Sequence, residues 1–286
     1  MSNYNRAITM VIIAGAFLST LGIGSRLLES ASGMQVVFYR SIGLLITMTL
    51  IIAFRERNNF WNSFIQIGKT GIYSSICLVG TSIFVVLAVM NTSVANAMFI
   101  ISLTPLIAGL FAWLLLREKM TVTTIIATII ALIGVFVIIN GAISTDGALG
   151  IVYAFAMLMC YGMFSVTLRM GKDVDMLPCI ALHAAILLVI LTPSLPTLSI
   201  TLHDLLICLG LGVFQLGVGL TLLTIGSKSI PAAQLTLLAM LEVVLSPVWV
   251  WIGVGESPSK STMIGGAIII SAIMFQALKS KPTGQP

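Results

Sequence analysis

Residues 94–119 read VANAMFIISLTPLIAGLFAWLLLREK, an almost wholly apolar run to Leu115 followed by Arg117-Glu118-Lys119. A hydrocarbon core of ~30 Å takes about 20 apolar residues in helical form, so this stretch reads as one crossing closed by a charged loop. Working outward, the same pattern recurs at 8–25, 33–54, 70–89, 122–140, 149–168, 177–193, 204–225, 232–253 and 262–278. Only 8% of the chain is charged and 58% is hydrophobic, which leaves a soluble domain nothing polar to face water with. The fold class is therefore an all-α membrane protein of ten transmembrane helices, each meeting its own backbone hydrogen-bonding needs.

Polar or helix-ending residues separate the spans: Arg55-Glu56-Arg57-Asn58-Asn59, Ser144-Thr145-Asp146-Gly147, Gly171-Lys172-Asp173 and Gly255-Glu256-Ser257-Pro258. The connections are too short for a soluble module. Span seven, ending near Pro193 and Pro196, is the shortest. The first run has Arg6 before it and Ala14-Gly15-Ala16 within it, as a secretory signal would. It stays apolar well past that tripeptide, so it reads as an uncleaved helix.

With a cytoplasmic N-terminus, the inner loops and ends hold 11 of the 14 basic residues, leaving Arg26, Arg40 and Lys260 outside. Lysine and arginine concentrate in cytoplasmic loops, so both termini are expected inside. The net charge of +5 is thus a topology signal. It supports no nucleic-acid partner, because no basic cluster lies on a surface fit for one.

The second half echoes the first at the separation of Glu118 from Glu256. Asn96 falls on Gln234, Leu103 on Leu241, Trp113 on Trp251 and Thr124 on Thr262. The Trp-x4-Glu pair carries the signal, since both residues are scarce here, and in each copy it closes the fourth span of five. An odd number of spans forces the copies to insert in opposite senses. The expected organisation is two inverted five-helix repeats, 1–143 and 144–286, around a central cavity. Such repeats are typical of secondary transporters, which rock about a midplane site. A duplication kept only for packing would leave the same echo.

Leu103-Thr104-Pro105 with Trp113 and Leu116-Arg117-Glu118-Lys119, the weaker copy from Leu241-Glu242 through Trp251 to Glu256, and Phe38-Tyr39-Arg40 resemble the EamA-type members of the drug/metabolite transporter superfamily. The resemblance covers essentially the whole chain. It implies ten helices around a cavity in the cytoplasmic (inner) membrane, and carriage of small organic metabolites, often outward. The chain departs from that pattern where the second copy usually has Glu-Pro: here Glu242 is followed by Val243, and the proline comes at Pro247.

Charges within hydrocarbon are expensive and need a reason. Glu242 lies near the middle of span nine, as a cavity carboxylate for an amine-bearing substrate, a proton carrier, or a structural acceptor. Arg40, some way into span two, could snorkel, grip a substrate carboxylate or pair with Glu242. Uncharged candidates are Asn96, Ser102 and Thr104 in span four, Gln215 in span eight and Gln234 at the start of span nine. All of them could equally bond across helices. Glycines 210, 212, 217 and 219 flank Gln215 and permit close approach or bending. His183 in span seven is a buried hydrogen-bonding residue or a proton relay. Tyr161, Phe17 and Phe84 could wall a planar substrate or simply pack.

Other chemistries find no support. Cys77, Cys160, Cys179 and Cys208 are far apart, giving neither a disulfide framework nor a zinc site. Gly68-Lys69-Thr70 echoes the tail of a phosphate-binding loop, but position 63 is Ser and no strand precedes it. No cofactor and no obligate protein partner is implied. A small-molecule carrier in the lipid bilayer is the expected function, with amino acids, nucleobase compounds or amphipathic vitamins and drugs as cargo. The alternative, an intramembrane enzyme on a lipid-linked substrate, would need clustered carboxylates or a nucleophile with its base. A non-transporting scaffold would need more loop surface than this chain has.

Overall fold

The computed structural model describes residues 3–56, 59–91, 100–139, 148–195, 197–255 and 257–279. Among them every regular element is helical. Span one is α1 (Asn3–Leu18) and α2 (Leu21–Leu27), parted at Ser19-Thr20. Span two is α3 (Gly33–Glu56), and a short α4 (Phe60–Gln66) leads to span three, α5 (Gly68–Asn91). Spans four to six are α6 (Thr104–Leu116), α7 (Val122–Ile139) and α8 (Ala148–Met170). Span seven is α9 (Leu177–Leu191), extended by a 3₁₀ turn, Thr192–Ser194. Span eight is α10 (Leu202–Gly210), a π-helical stretch Leu211–Val218 and α11 (Gly219–Ser227). Span nine is α12 (Ala232–Ala239) and α13 (Leu241–Val254), and span ten is α14 (Lys260–Lys279).

Among the described residues, counting broken helices as one, eight helices are long and apolar enough to cross a membrane; two shorter apolar ones are Thr104–Leu116 and Val122–Ile138. α4 was not anticipated. Phe60, Phe64 and the exposed Trp61 and Ile65 give it the apolar surface of a helix lying along an interface.

Small residues set how closely the helices approach. A Cβ at Gly134 of α7 would fall 2.7 Å from the Gly265 carbonyl of α14, and Thr124 accepts from Gln276 Nε2 at 3.1 Å farther along the same pair. α7 and α14 therefore run antiparallel. A Cβ at Gly43 of α3 would fall 2.6 Å from the Leu209 carbonyl, so spans two and eight meet backbone to backbone. Other extensive pairings are α5 with α8, α1 with α11, α3 with α9, α5 with α9, α6 with α8, α6 with α12, and span nine with span one.

The two ends of the bundle differ. At the end carrying the N-terminus, every residue from Ala232 to Met240 is buried, as are Phe164 to Leu168, Tyr4, Ala7, Ile8 and Val11. Toward the other end, only Val244 is buried among residues 241–250. Around span nine, one end is sealed and the other is splayed, while Gln35, Val37, Leu191 and Asp204 stay buried between spans two, seven and eight at that second end.

Candidate functional site

Two spans break at mid-depth. In span four, Leu103 N–H donates to Ile100 at 3.1 Å and Leu106 N–H to Leu103 at 3.0 Å, a tight turn from which α6 restarts with Pro105 in its first turn. Proline lacks an N–H and suits that position. In span nine, Met240 N–H donates to Leu237 at 3.1 Å and Val243 N–H to Met240 at 3.0 Å, and α13 restarts at Leu241. Leu103 stands as far from Leu241 as Glu118 does from Glu256, so the two breaks fall at matching places in the sequence echo.

Glu242 occupies the first turn of α13, where the partial positive charge of a helix start favours an anion. It lies ten residues beyond Ala232, roughly 15 Å along the span, near the middle of a ~30 Å core. Its side chain is half-buried and makes no hydrogen bond or ion pair among the described residues. Tyr161 of α8, also half-buried, lies within electrostatic reach of it and stacks on Phe164 at 6.2 Å. Gly15 of α1 lets the chain pass close to the break, its Cβ position 3.3 Å from Leu241 Cβ. Near the break in span one, Trp249 Nε1–H donates to Ser19 Oγ at 2.7 Å.

A second polar group joins spans one, two, three, seven and eight. Arg40 is buried and its Nη1 donates to Gln215 Oε1 at 3.4 Å, while Gln215 Nε2 donates to the Leu18 carbonyl at 3.3 Å. Gln215 sits inside the π-helical stretch, a widened turn often found at functional sites. Arg40 is also within electrostatic reach of His183, whose Nε2 meets Ser82 Oγ at 3.0 Å. Arg40 Nε is buried without a partner. Arg40 thus bonds Gln215, and no ion pair with Glu242 forms among the described residues.

The remaining candidates are dispersed. Phe84 stacks on Tyr153 at 6.2 Å and 18° between planes, and Phe17 is half-buried beside the span-one break. Gln234 is buried at the sealed end, where its Nε2 donates to Tyr4 Oη at 2.6 Å. Thr104 donates back to the Ile101 carbonyl within its own span, and Ser102 is buried. Asn96 lies outside the described residues. Ser82, Tyr153 and Trp249 escaped the sequence reading, because a serine or aromatic in an apolar run gives no signal before its partner is known. At the sealed end Arg169 Nε meets Glu118 Oε1 at 3.0 Å, and its Nη1 donates to the Lys228 carbonyl, tying spans four, six and eight.

Comparison with known proteins fits this architecture. The model of the EamA-like transporter family matches residues 5–140 and again residues 148–278. A protein of Clostridium kluyveri named "Uncharacterized transporter" is 23% identical over 277 residues, spanning 91% of this chain and 89% of that protein. A solved crystal structure aligns over 96% of this chain and 98% of its own, with a TM-score of 0.83 at 19% identity, a likeness of fold alone. Matched twice over nearly its full length, this multi-pass membrane protein belongs to the EamA-like transporter family.

Proposed function

We propose that the protein is a secondary carrier with ten spans, built as two inverted five-helix repeats, 1–143 and 144–286, in the cytoplasmic membrane with both termini inside. Helix contacts support the repeat. Exchanging spans one to five for six to ten turns the contact of three with six into eight with one. It likewise turns four with six into nine with one, and two with eight into seven with three. The contacts of five with ten, two with seven and four with nine map onto themselves. The two successive family matches, which flank residue 144, also favour this division.

The observation that carries the function is the position of Glu242. It sits at a helix break, without an ion-pair partner among the described residues, where span nine passes from wholly buried to half-exposed. Broken helices at the midplane are the usual frame for a carrier's site. In the proposed orientation the splayed end faces outward and the sealed end faces the cytoplasm. Glu242 binds an amine-bearing metabolite or carries the coupling proton, with Tyr161 beside it; transport runs on a proton gradient or on exchange. Cargo classes are amino acids, nucleobase compounds, or amphipathic vitamins and drugs.

The test is a thermal-shift screen of detergent-solubilised protein against a metabolite library, followed by counterflow of each stabilising compound in proteoliposomes. A ligand that binds only the folded protein raises its melting temperature with concentration. Saturable counterflow of a stabilising compound is expected; stabilisation with no flux by any hit would contradict a carrier.

A further inference from the structure

We infer that the groove formed by Trp113, Arg117 and Lys119 beside the end of α6 is a binding site for the headgroup of an anionic phospholipid. This rests on the membrane-spanning reading and is independent of transport.

The first observation is a strained cation. Arg117 caps α6 with φ of 56°, the single positive-φ residue other than glycine among those described. Its repeat counterpart, at the end of α13, is Gly255, with φ of 77°. Both cap their helix in the left-handed conformation, through N–H bonds to Trp113 and Trp251 respectively. Glycine takes that conformation freely, whereas a side chain with a Cβ does so at a cost. One copy uses the residue suited to the cap; the other holds a guanidinium there against its preference.

The second observation is a pair of open surface grooves. Trp113, Leu114, Arg117 and Lys119 line a groove of about 330 Å³, and an adjoining one of about 310 Å³ runs from Lys119 and Trp113 along Leu106, Leu110 and Ile125. Gly109 lets Met120 fold onto α6, since a Cβ there would fall 2.7 Å from Met120 Cγ. Lys119, next to it, lines both grooves. Trp113 and Leu114 are more than half exposed, on a helix whose other face is buried.

The third observation is unspent charge. Among the described residues neither Arg117 nor Lys119 forms an ion pair, while Glu118 between them turns inward to Arg169. Two cations with an interfacial tryptophan suit a phosphate, and the apolar groove suits the chains attached to it. The repeat counterparts of the two cations are Gly255 and Ser257, so those two positions carry no cation in the other copy.

The experiment is thermal unfolding of the purified full-length chain in neutral detergent, titrated with phosphatidylglycerol, phosphatidylcholine or inorganic phosphate. Wild type should gain stability saturably from phosphatidylglycerol alone. Arg117→Gly relaxes the cap, so its lipid-free midpoint should equal or exceed wild type. It should nonetheless need about fivefold more phosphatidylglycerol for half the effect, as should Lys119→Gln. Equal responses to the two lipids, an equal shift with inorganic phosphate, or an unchanged phosphatidylglycerol response in both variants would overturn the proposal. So would a lower lipid-free midpoint for Arg117→Gly, which would reveal a structural role for the side chain.

Discussion

α6 and α13 occupy equivalent places in the two proposed repeats, follow like breaks and end in like left-handed caps, yet their surroundings differ. Thr104, Pro105, Ala108, Gly109 and Ala112 are buried in α6, whereas Val244 alone is buried in α13. Both are apolar helices after their breaks, although only α13 carries a proline in its interior, Pro247. The difference comes from what packs on them: α6 is held by α8 and α12 at the sealed end, and α13 stands at the splayed one. Two like halves in unlike environments fit the proposed carrier at rest at one extreme of an inverted-repeat cycle. In the opposite extreme α13 would be enclosed and α6 released.

The largest test of that contrast is a matched pair of substitutions. Ala112 is buried among Ala108, Val166 and Ala232, so Ala112→Leu overfills a packed site and should cost about 3 kcal/mol. Val250→Leu at the equivalent place has room and should stay within about 0.5 kcal/mol. Thermal or denaturant unfolding in detergent reads both; equal costs would erase the difference between the ends. Next in size, Gln215→Leu strips the buried Arg40 of its hydrogen-bond acceptor and should cost about 2 kcal/mol. Gln215→Glu, which keeps an acceptor, should recover most of it.

The smallest effect bears on the seal itself. The Glu118–Arg169 pair is partly exposed, with side chains 30% and 16% accessible, so Glu118→Gln should change overall stability by under about 1 kcal/mol. It should nevertheless loosen the sealed end. A cysteine placed at Ala233 in a background freed of the four native cysteines should react faster with a maleimide when Glu118→Gln is present. No change in labelling rate would remove this ion pair from the seal.

The spans were readable because about 20 apolar residues bounded by charges leave a membrane helix little choice. The predicted bounds for span nine, 232–253, and span two, 33–54, lie within two residues of Ala232–Val254 and Gly33–Glu56. Breaks were harder. Pro105 marked one, but the break at Met240 carries no proline of its own, and Ser19-Thr20 looked like any polar pair in an apolar run. Glycines around Gln215 hinted at bending and close approach; the π-helical stretch they accompany needed coordinates. The polar groups were the least legible part. Arg40 and Gln215 lie on spans two and eight, and Tyr161 and Glu242 on spans six and nine, so only helix order in three dimensions sets them side by side. α4 was overlooked because its apolar residues number too few to register as a span.

Counterflow in proteoliposomes, with a compound that stabilises the purified protein, is the most direct measure of the whole account. Wild type should exchange it saturably, and Glu242→Gln, inserted and folded to the same level, should do so at least about tenfold more slowly, equivalent to about 1.4 kcal/mol or more. Exchange by Glu242→Gln at the wild-type rate would contradict the placement of the transport site at the break in span nine.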